Sequence, residues 1–447
     1  MEGPPAVEEY TWTPPQYDTS RPPSLAASLA LKFDPEFIDN FSRMAKWCPD
    51  GSVFLSQCEN RTFQMFNTPP TQAQKDPHEP DRDYSPICTF HQPSPILDFI
   101  WYPAATPLDP ASFCFIASVR ECPVKLLDAA DGRLRASYRI VDHRERQIAP
   151  HSLAFNQTAE RLYCGFEDAV EVFDFARPGE GTRLMTTPSK KSKDGLKGII
   201  SALAFVPSQG LDMYAAGSLL HNKSNIALFT ESHGAEPEMF VGGGPRAGVT
   251  QILFNPAKPH IMYAAFRRHT AIYSWDIRSN VDSPVKIYHC KESAKKTNQK
   301  IRFDVDLGGR WLSVGDQSGN ISMFDLYDGD VDKIPEPYDN SEDVLPTSEF
   351  KAHNDAVGSV AFHPLQPTLL SVSGSRHFRL DDENSDLSSS SDESDDEQAD
   401  SAAPNITRPK IRSQPITLDS SMKIWNFDSS CPPPSPNDAH SGPSPDS

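Results

Sequence analysis

HSLAFNQTAERLYCGFEDAVEVFD, residues 151–174, reads as two short alternating apolar runs joined by a polar turn, then a third run closing on an aromatic residue and Asp174. Leu153 and Phe155 share one side of the first run. Leu162 and Cys164 follow after Asn156–Arg161, and Val170, Val172 and Phe173 come after Glu167-Asp168. Alternation with a period of two, broken by polar turns, predicts adjacent antiparallel strands. A single unit of this kind leaves its faces uncovered, so it needs copies of itself to build a core.

The copies are present. Trp47–Gly51 leads into Val53–Ser56 and Thr62–Asn67; Ile96–Pro103 leads into Phe113–Ser118 and Val124–Asp128; Ile199–Pro207 leads into Met213–Ser218 and Asn225–Thr230. Val249–Pro256 precedes Ile261–Ala265 and Ala271–Asp276, and Ile301–Asp306 precedes Trp311–Gly315 and Asn320–Asp325. Val357–Pro364 precedes Leu369–Gly374 and, after a long interruption, Met422–Asn426. Counting 151–174, the grammar occurs about seven times in units of roughly 40–50 residues with aromatic-Asp endings, of which Trp275-Asp276 is the one full Trp-Asp pair. The expected fold is all-β, a seven-bladed Trp-Asp-repeat propeller. A β-sandwich with irregular loops is the competing fold, and one grammar repeated along the chain argues against it.

A propeller blade needs four strands. Candidate outer strands follow the first six units at Ile87–Phe90, Leu134–Tyr138, Arg183–Thr186, Glu238–Val241, Val285–His289 and Thr347–Lys351. The seventh has no such follower, because after Phe427 the chain is rich in proline, which removes ladder donors. Its open edge must be covered, and the apolar segment Leu25–Phe33 is the available supplier. The expected organisation is a Pro-rich disordered tail over 1–24, a closing strand within 25–34, a propeller over 41–427 with an acidic disordered insertion at 380–413, and a Pro/Ser tail over 428–447.

Of the 447 residues 37% are apolar and 42 are proline; tails and loops dilute an ordinary core. No apolar run reaches the length of a membrane span and the N-terminus has no signal-peptide pattern, so no membrane partner is expected. The eight cysteines are dispersed and never form C-x-x-C, which argues against a zinc site or a disulfide framework. No phosphate-binding loop, nucleophile elbow or metalloprotease helix occurs, so neither catalysis nor a cofactor is expected.

The formal charge is −19, and residues 381–400 carry ten acids and no base. Ser389, Ser390 and Ser394 each precede an acid by three residues, a pattern that suits an acid-directed kinase. The basic residues are placed differently. Turns between second and third strands and links between blades open on one face of a propeller. The turns hold Arg61, Arg120, Arg267, Arg268, His269, Arg376 and Arg379; the links hold Arg144, Arg146, Lys190, Lys191, Lys193, Lys197, Arg246, Lys295, Lys296, Lys300 and Lys351. An acidic chain with one basic face suits a phosphate backbone, against the plainer reading that these bases only solvate loops. Arg61, Arg120, Arg267, Arg268, Lys190, Lys191, Lys295, Lys296 and Lys300 are the expected RNA-binding set. The acidic insertion leaves from the same face, where it either competes with RNA or serves only as a solubilising spacer.

Four stretches go beyond generic propeller grammar: Glu121–Arg139, His151–Gly179, Gly198–Phe205 and Asn298–Asp325 together resemble the telomerase Cajal body protein family. Cys164–Phe166, Ala176–Gly179 and the Asn-Gln-Lys-Ile-Arg-Phe-Asp of Asn298–Asp304 carry the resemblance, which covers most of 45–330 and more weakly 351–427. The chain departs from the family in its acidic insertion, in lacking a Gly-rich C-terminal end and in an eroded seventh unit. A fungal splicing-associated branch is also similar.

The resemblance implies a non-catalytic, nuclear scaffold in the Cajal body or nucleoplasm, with a further cytoplasmic pool, and a monomer is expected. It implies that the scaffold binds small nuclear guide RNAs of the H/ACA type, and telomerase RNA in animals, beside dyskerin and related ribonucleoprotein proteins. Two other classes stay open: a protein-only scaffold in pre-mRNA splicing, with spliceosomal partners, or in chromatin; and a substrate receptor of a cullin-RING ubiquitin ligase, for which Trp275-Asp276-Ile277-Arg278 fits the Trp-Asp-x-Arg box.

Overall fold

In the computed structural model, residues 13–70, 84–189, 191–192, 194–208, 210–291, 297–327, 341–378 and 415–428 are described. They form seven sheets around a central channel, antiparallel except for one added strand, spanning 42–91, 96–138, 152–185, 200–241, 249–289, 303–351 and 357–426. The seven-bladed propeller expected from the repeat is the observed fold. Within each blade the first strand lines the channel and the later ones step outward. Apolar clusters lie between blades: Ala202, Leu228 and Val241 of blade 4 pack with Ile252, Met262 and Trp275 of blade 5. Trp275 is buried and its Nε1 donates to the Gly242 carbonyl at 3.0 Å.

Blade 7 takes its outer strand from the N-terminus. Ser24–Leu29 runs antiparallel to Met422–Asn426, with Leu29 opposite Met422 and Ser24 opposite Asn426. Leu29 and Ala27 enter a cluster that joins blades 7 and 1. The strand stops before Phe33 because the Lys32 amide turns away to Gln64 Oε1 at 2.9 Å, and residues 33–41 become the link into blade 1. Upstream, Tyr17 packs edge-on against Phe362 and Phe427.

Two features were not legible beforehand. Blade 5 has a fifth strand: Glu342–Val344, from the connection inside blade 6, pairs parallel with Lys286–His289. Lys286 and His289 reinforce this edge by pairing with Glu342 at 3.1 Å and Asp343 at 2.8 Å. Blade 7, eroded in sequence, is heavily laced with polar bonds. His353 contacts Ser371 Oγ at 2.7 Å and Ser421 Oγ at 3.0 Å, and Ser371 Oγ also accepts from Trp425 Nε1 at 2.8 Å. Burial lowers the His353 pKa, and that histidine in turn lowers the pKa of Asp419, which lies 3.7 Å away.

Inner strands of neighbouring blades diverge too far for continuous pairing, leaving edge amides and carbonyls that need partners. Side chains supply them around the ring. Gln57 donates to Ile96 O, Asp98 accepts from Leu153 N, Ser152 donates to Ile200 O and Ser201 to Val249 O. Gln251 holds both the amide and carbonyl of Phe303, Asp304 accepts from Phe362 N, and Trp47 Nε1 donates to Ala361 O across the closure. This belt fixes the channel's width and therefore the spacing of whatever stands at its mouth.

Candidate nucleic-acid interface

Turns and links do share a face. Arg120 N donates to Pro95 O, Arg267 N to Gly248 O and Gly374 N to Ala356 O, each joining a second-to-third turn to the link entering the same blade. At the centre of this face the channel opens into a cavity of about 690 Å³. Its walls include Arg43, His151, Gln299, Lys300, Arg302, Arg376 and His377, with Phe41, Met44 and Phe378 as apolar lining.

Local backbone geometry places these cations. Five inner strands carry a register shift next to their first residue, and in blade 1 the residue skipped between Ser42 and Met44 is Arg43. A bulge re-aims its extra residue out of the ladder, which directs the Arg43 side chain to the rim. In blade 6 the corresponding place is held by Arg302. Its amide is taken by Gly358 O at 2.9 Å, and its guanidinium donates to Thr250 O at 3.2 Å. Gln299 Nε2 donates to Gly374 O at 2.9 Å. The Asn298–Asp304 signature thus has two tasks: Gln299 and Asp304 fasten blade 6 to blade 7, while Lys300 and Arg302 face the mouth.

The electrostatics are one-sided. Burial pushes the Lys300 ammonium down to about 8, with the charges of Arg302, Arg267 and Arg43 adding to the shift and Asp98 opposing it. His151 is lowered by burial and by the nearby Lys300 and Arg120. Arg43 and Arg376 are both bonded to Glu59 on the turn of blade 1. No ion pair joins Lys300, Arg302 or Arg267 to a carboxylate among the described residues. Deeper in the channel, Lys46 donates to Phe99 O at 2.6 Å and lies 3.9 Å from Asp98. Burial there raises the Asp304 carboxyl to about 7.

The residues expected from sequence are distributed unevenly. Lys300 lines the mouth, and the charges of Arg267 and Arg120 reach it. Arg267 and Arg268 border a smaller hollow of about 30 Å³ together with Gln299 and Gln317. Arg61 lies on the same face but outside the mouth, donating to Pro93 O at 3.4 Å. Lys191 is exposed on the link between blades 3 and 4 and is not part of the mouth. Lys190, Lys295 and Lys296 lie outside the described residues, as do Ser389, Ser390, Ser394 and the 380–413 insertion. Arg43 and Arg302 were missed because face-sorting counts turns and links, whereas these two reach the rim from inner-strand positions. One signal was present for Arg43: an arginine inside the channel-lining run SRMAKW is out of keeping with a buried strand. The arginine of the Trp-Asp-x-Arg box, Arg278, is braced against its own Asp276 by bonds of 3.1 and 2.8 Å.

Fold and mouth together define a Trp-Asp-repeat propeller with a basic opening. No family model matches the chain. It is 30% identical over 379 residues to Telomerase Cajal body protein 1 of Rattus norvegicus, covering 84% of this chain and 66% of that protein. It is 31% identical over 376 residues to Telomerase Cajal body protein 1 of Homo sapiens, covering 84% of this chain and 64% of that protein. A relative in Schizosaccharomyces pombe, Guanine nucleotide-binding protein negative regulator 1, is 29% identical over 286 residues, 62% of this chain and 68% of its own length. The chain belongs to the telomerase Cajal body protein family. It spans just under two thirds of the length of the mammalian relatives it matches.

Proposed function

We propose that the chain is a non-catalytic RNA-binding scaffold of nuclear ribonucleoproteins, and that its basic mouth takes the backbone of a single-stranded loop in a small nuclear guide RNA. The observation that carries this reading is the half-buried Lys300 ammonium at the mouth, lowered to about 8 and crowded by Arg302, Arg267 and Arg43, with no ion pair to Lys300, Arg302 or Arg267 among the described residues. Like charges held together by the rigid ring are costly for the free protein, and an anion placed among them relieves the repulsion. A phosphate diester supplies that anion with hydrogen-bond acceptors for both ammonium and guanidinium groups. An unpaired segment, unlike a duplex, can splay its backbone and bases into a cavity of this kind, so an RNA loop is its complement. The relatives' names place them with telomerase and Cajal bodies, which supports a Cajal-body address; the assembly proposed there contains H/ACA proteins such as dyskerin.

The test is fluorescence anisotropy of a labelled guide-RNA loop against the intact chain and a Lys300→Gln, Arg302→Gln variant across a salt series. Loss of two phosphate contacts should reduce the log–log salt slope by roughly 1.4 for a single strand. A pH series gives the second readout: affinity should fall between pH 7 and 9 as the free Lys300 loses its proton. An unchanged slope in the variant would place the RNA elsewhere.

A further inference from the structure

The link between the closing strand and blade 1, residues 33–39, reads FDPEFID. Phe33 is 75% exposed, Phe37 40% and Ile38 76%. These side chains stand outward because the turn beneath them is fastened. Asp34 accepts the Glu36 amide at 3.0 Å and Asn60 Nδ2 at 2.8 Å, and its carbonyl accepts the Phe37 amide at 3.1 Å. The segment after the blade 7 insertion is tied to the same link. Thr417 bonds Asp39 through its amide and hydroxyl, both at 3.0 Å, which ties the segment carrying Leu418, 58% exposed, to the same link. The base of that segment is clamped by paired backbone bonds between His377 and Ile416.

Exposed large apolar side chains gathered on one link and on the segment bonded to it mark an interaction surface. Its charge is opposite to that of the mouth. Asp34, Glu36 and Asp39 carry no ion pair among the described residues, and the link itself holds no base, Lys32 standing just before it. Carboxylates interleaved with the apolar groups repel phosphate, so this rim is not an extension of the RNA site. We propose that the acidic–apolar rim formed by residues 33–39 and Leu418 docks a protein segment presenting aliphatic side chains flanked by lysine or arginine. Such a segment buries Ile38, Phe37 and Leu418 while its cations face Asp34, Glu36 and Asp39. The face is thereby divided into a basic centre and an acidic–apolar edge, which suits a scaffold that holds an RNA and a basic protein at once. The proposal stands whether or not the mouth binds RNA.

The full chain is titrated calorimetrically with a 15-residue amphipathic leucine–lysine peptide and with its leucine–glutamate counterpart. The lysine peptide should bind at least tenfold more tightly. An Ile38→Ser, Leu418→Ser variant keeps every charge and alters only exposed side chains, so its melt should be unchanged. It should lose at least tenfold in affinity for the lysine peptide, as expected for two aliphatic groups no longer buried. Glu36→Lys should weaken binding further at low salt, and Lys300→Gln should leave it unchanged. Equal binding by the serine variant would overturn the proposal, since attraction to the acidic chain at large would then explain it. Self-association abolished by the same two substitutions would assign the rim to a second copy instead. Binding that appears only after residues 379–414 are removed would assign it to the chain's own basic stretch near Arg408–Arg412. Either of these results would also overturn the proposal.

Discussion

Replacing Leu29 with Ala tests how the ring is closed. Leu29 is 2% exposed, lies opposite Met422, and packs in the cluster that contains Phe66 of blade 1 and Ile424 of blade 7. Truncating a leucine buried to this extent costs about 3 kcal/mol, within a range of about 2–5. The ring responds as one cooperative unit because each cluster spans two blades, so the loss should register in global unfolding. At about 2 °C per kcal/mol for a large domain, the melting temperature should fall by about 6 °C. Leu25 on the same strand is 47% exposed, and Leu25→Ala should stay within about 0.5 kcal/mol. Removing residues 1–34 goes further. It also takes away Tyr17 from between Phe362 and Phe427 and leaves Met422–Asn426 as an unpaired edge. That chain should aggregate or form dimers by edge pairing. Urea melts followed by tryptophan fluorescence, with sedimentation for the truncation, provide the readout. A loss below about 1 kcal/mol in Leu29→Ala, together with a monomeric, stable truncation, would refute closure by the N-terminal strand.

Three further outcomes are expected. Trp275→Ala should cost about 3–5 kcal/mol in a urea melt, because its ring is buried between blades 4 and 5 and its Nε1 is bonded to Gly242 O. His363 is held neutral: Nε2–H donates to Gly51 O while Nδ1 accepts the amides of Leu365 and Gln366, and burial lowers its pKa to about 4. The unfolded chain takes up that proton first, so its contribution should be intact above pH 6.5 and fall by about 3 kcal/mol as pH drops from 6.5 to 4; stability measured in His363→Gln should vary less over this window. Deleting residues 381–400 removes ten carboxylates from a segment whose flanks, His377 and Ile416, sit at the basic face, and should tighten RNA binding at low salt more than at high salt; equal affinities would make the tract a spacer.

The repeat was legible because a blade writes itself twice, in the alternation of its strands and in the ending of its third strand, aromatic-Asp at Phe173-Asp174, Trp275-Asp276 and Phe324-Asp325. Most outer strands were legible too: Leu134–Tyr138 lies where the apolar pattern put it, and Lys286–His289 within one residue. Glu342–Val344 was not, since three residues, two of them acidic, are too short a run for an alternation to register. At the interface, Lys300 was visible because it sits in a link. Arg43 and Arg302 were hidden because a bulge or a strand-entry bond, neither of which leaves a period in the sequence, turns them toward the mouth. The exposed rim of Phe33, Phe37 and Ile38 was hidden for the opposite reason: apolar residues near an expected strand read as burial, and the Asp34 turn that lifts them out is a local hydrogen-bond pattern.

The proposed role of the mouth is tested most directly by crosslinking. A guide RNA carrying 4-thiouridine in its loop is irradiated with the intact chain, and the crosslinked peptides are identified by mass spectrometry. The expected crosslinks fall in residues 297–302 and 41–44, where Lys300, Arg302 and Arg43 line the opening, and they should diminish in the Lys300→Gln, Arg302→Gln variant. Crosslinks confined to turns on the opposite face, such as 157–160 or 307–309, or none above a fully paired RNA control, would contradict the assignment of RNA to the basic mouth.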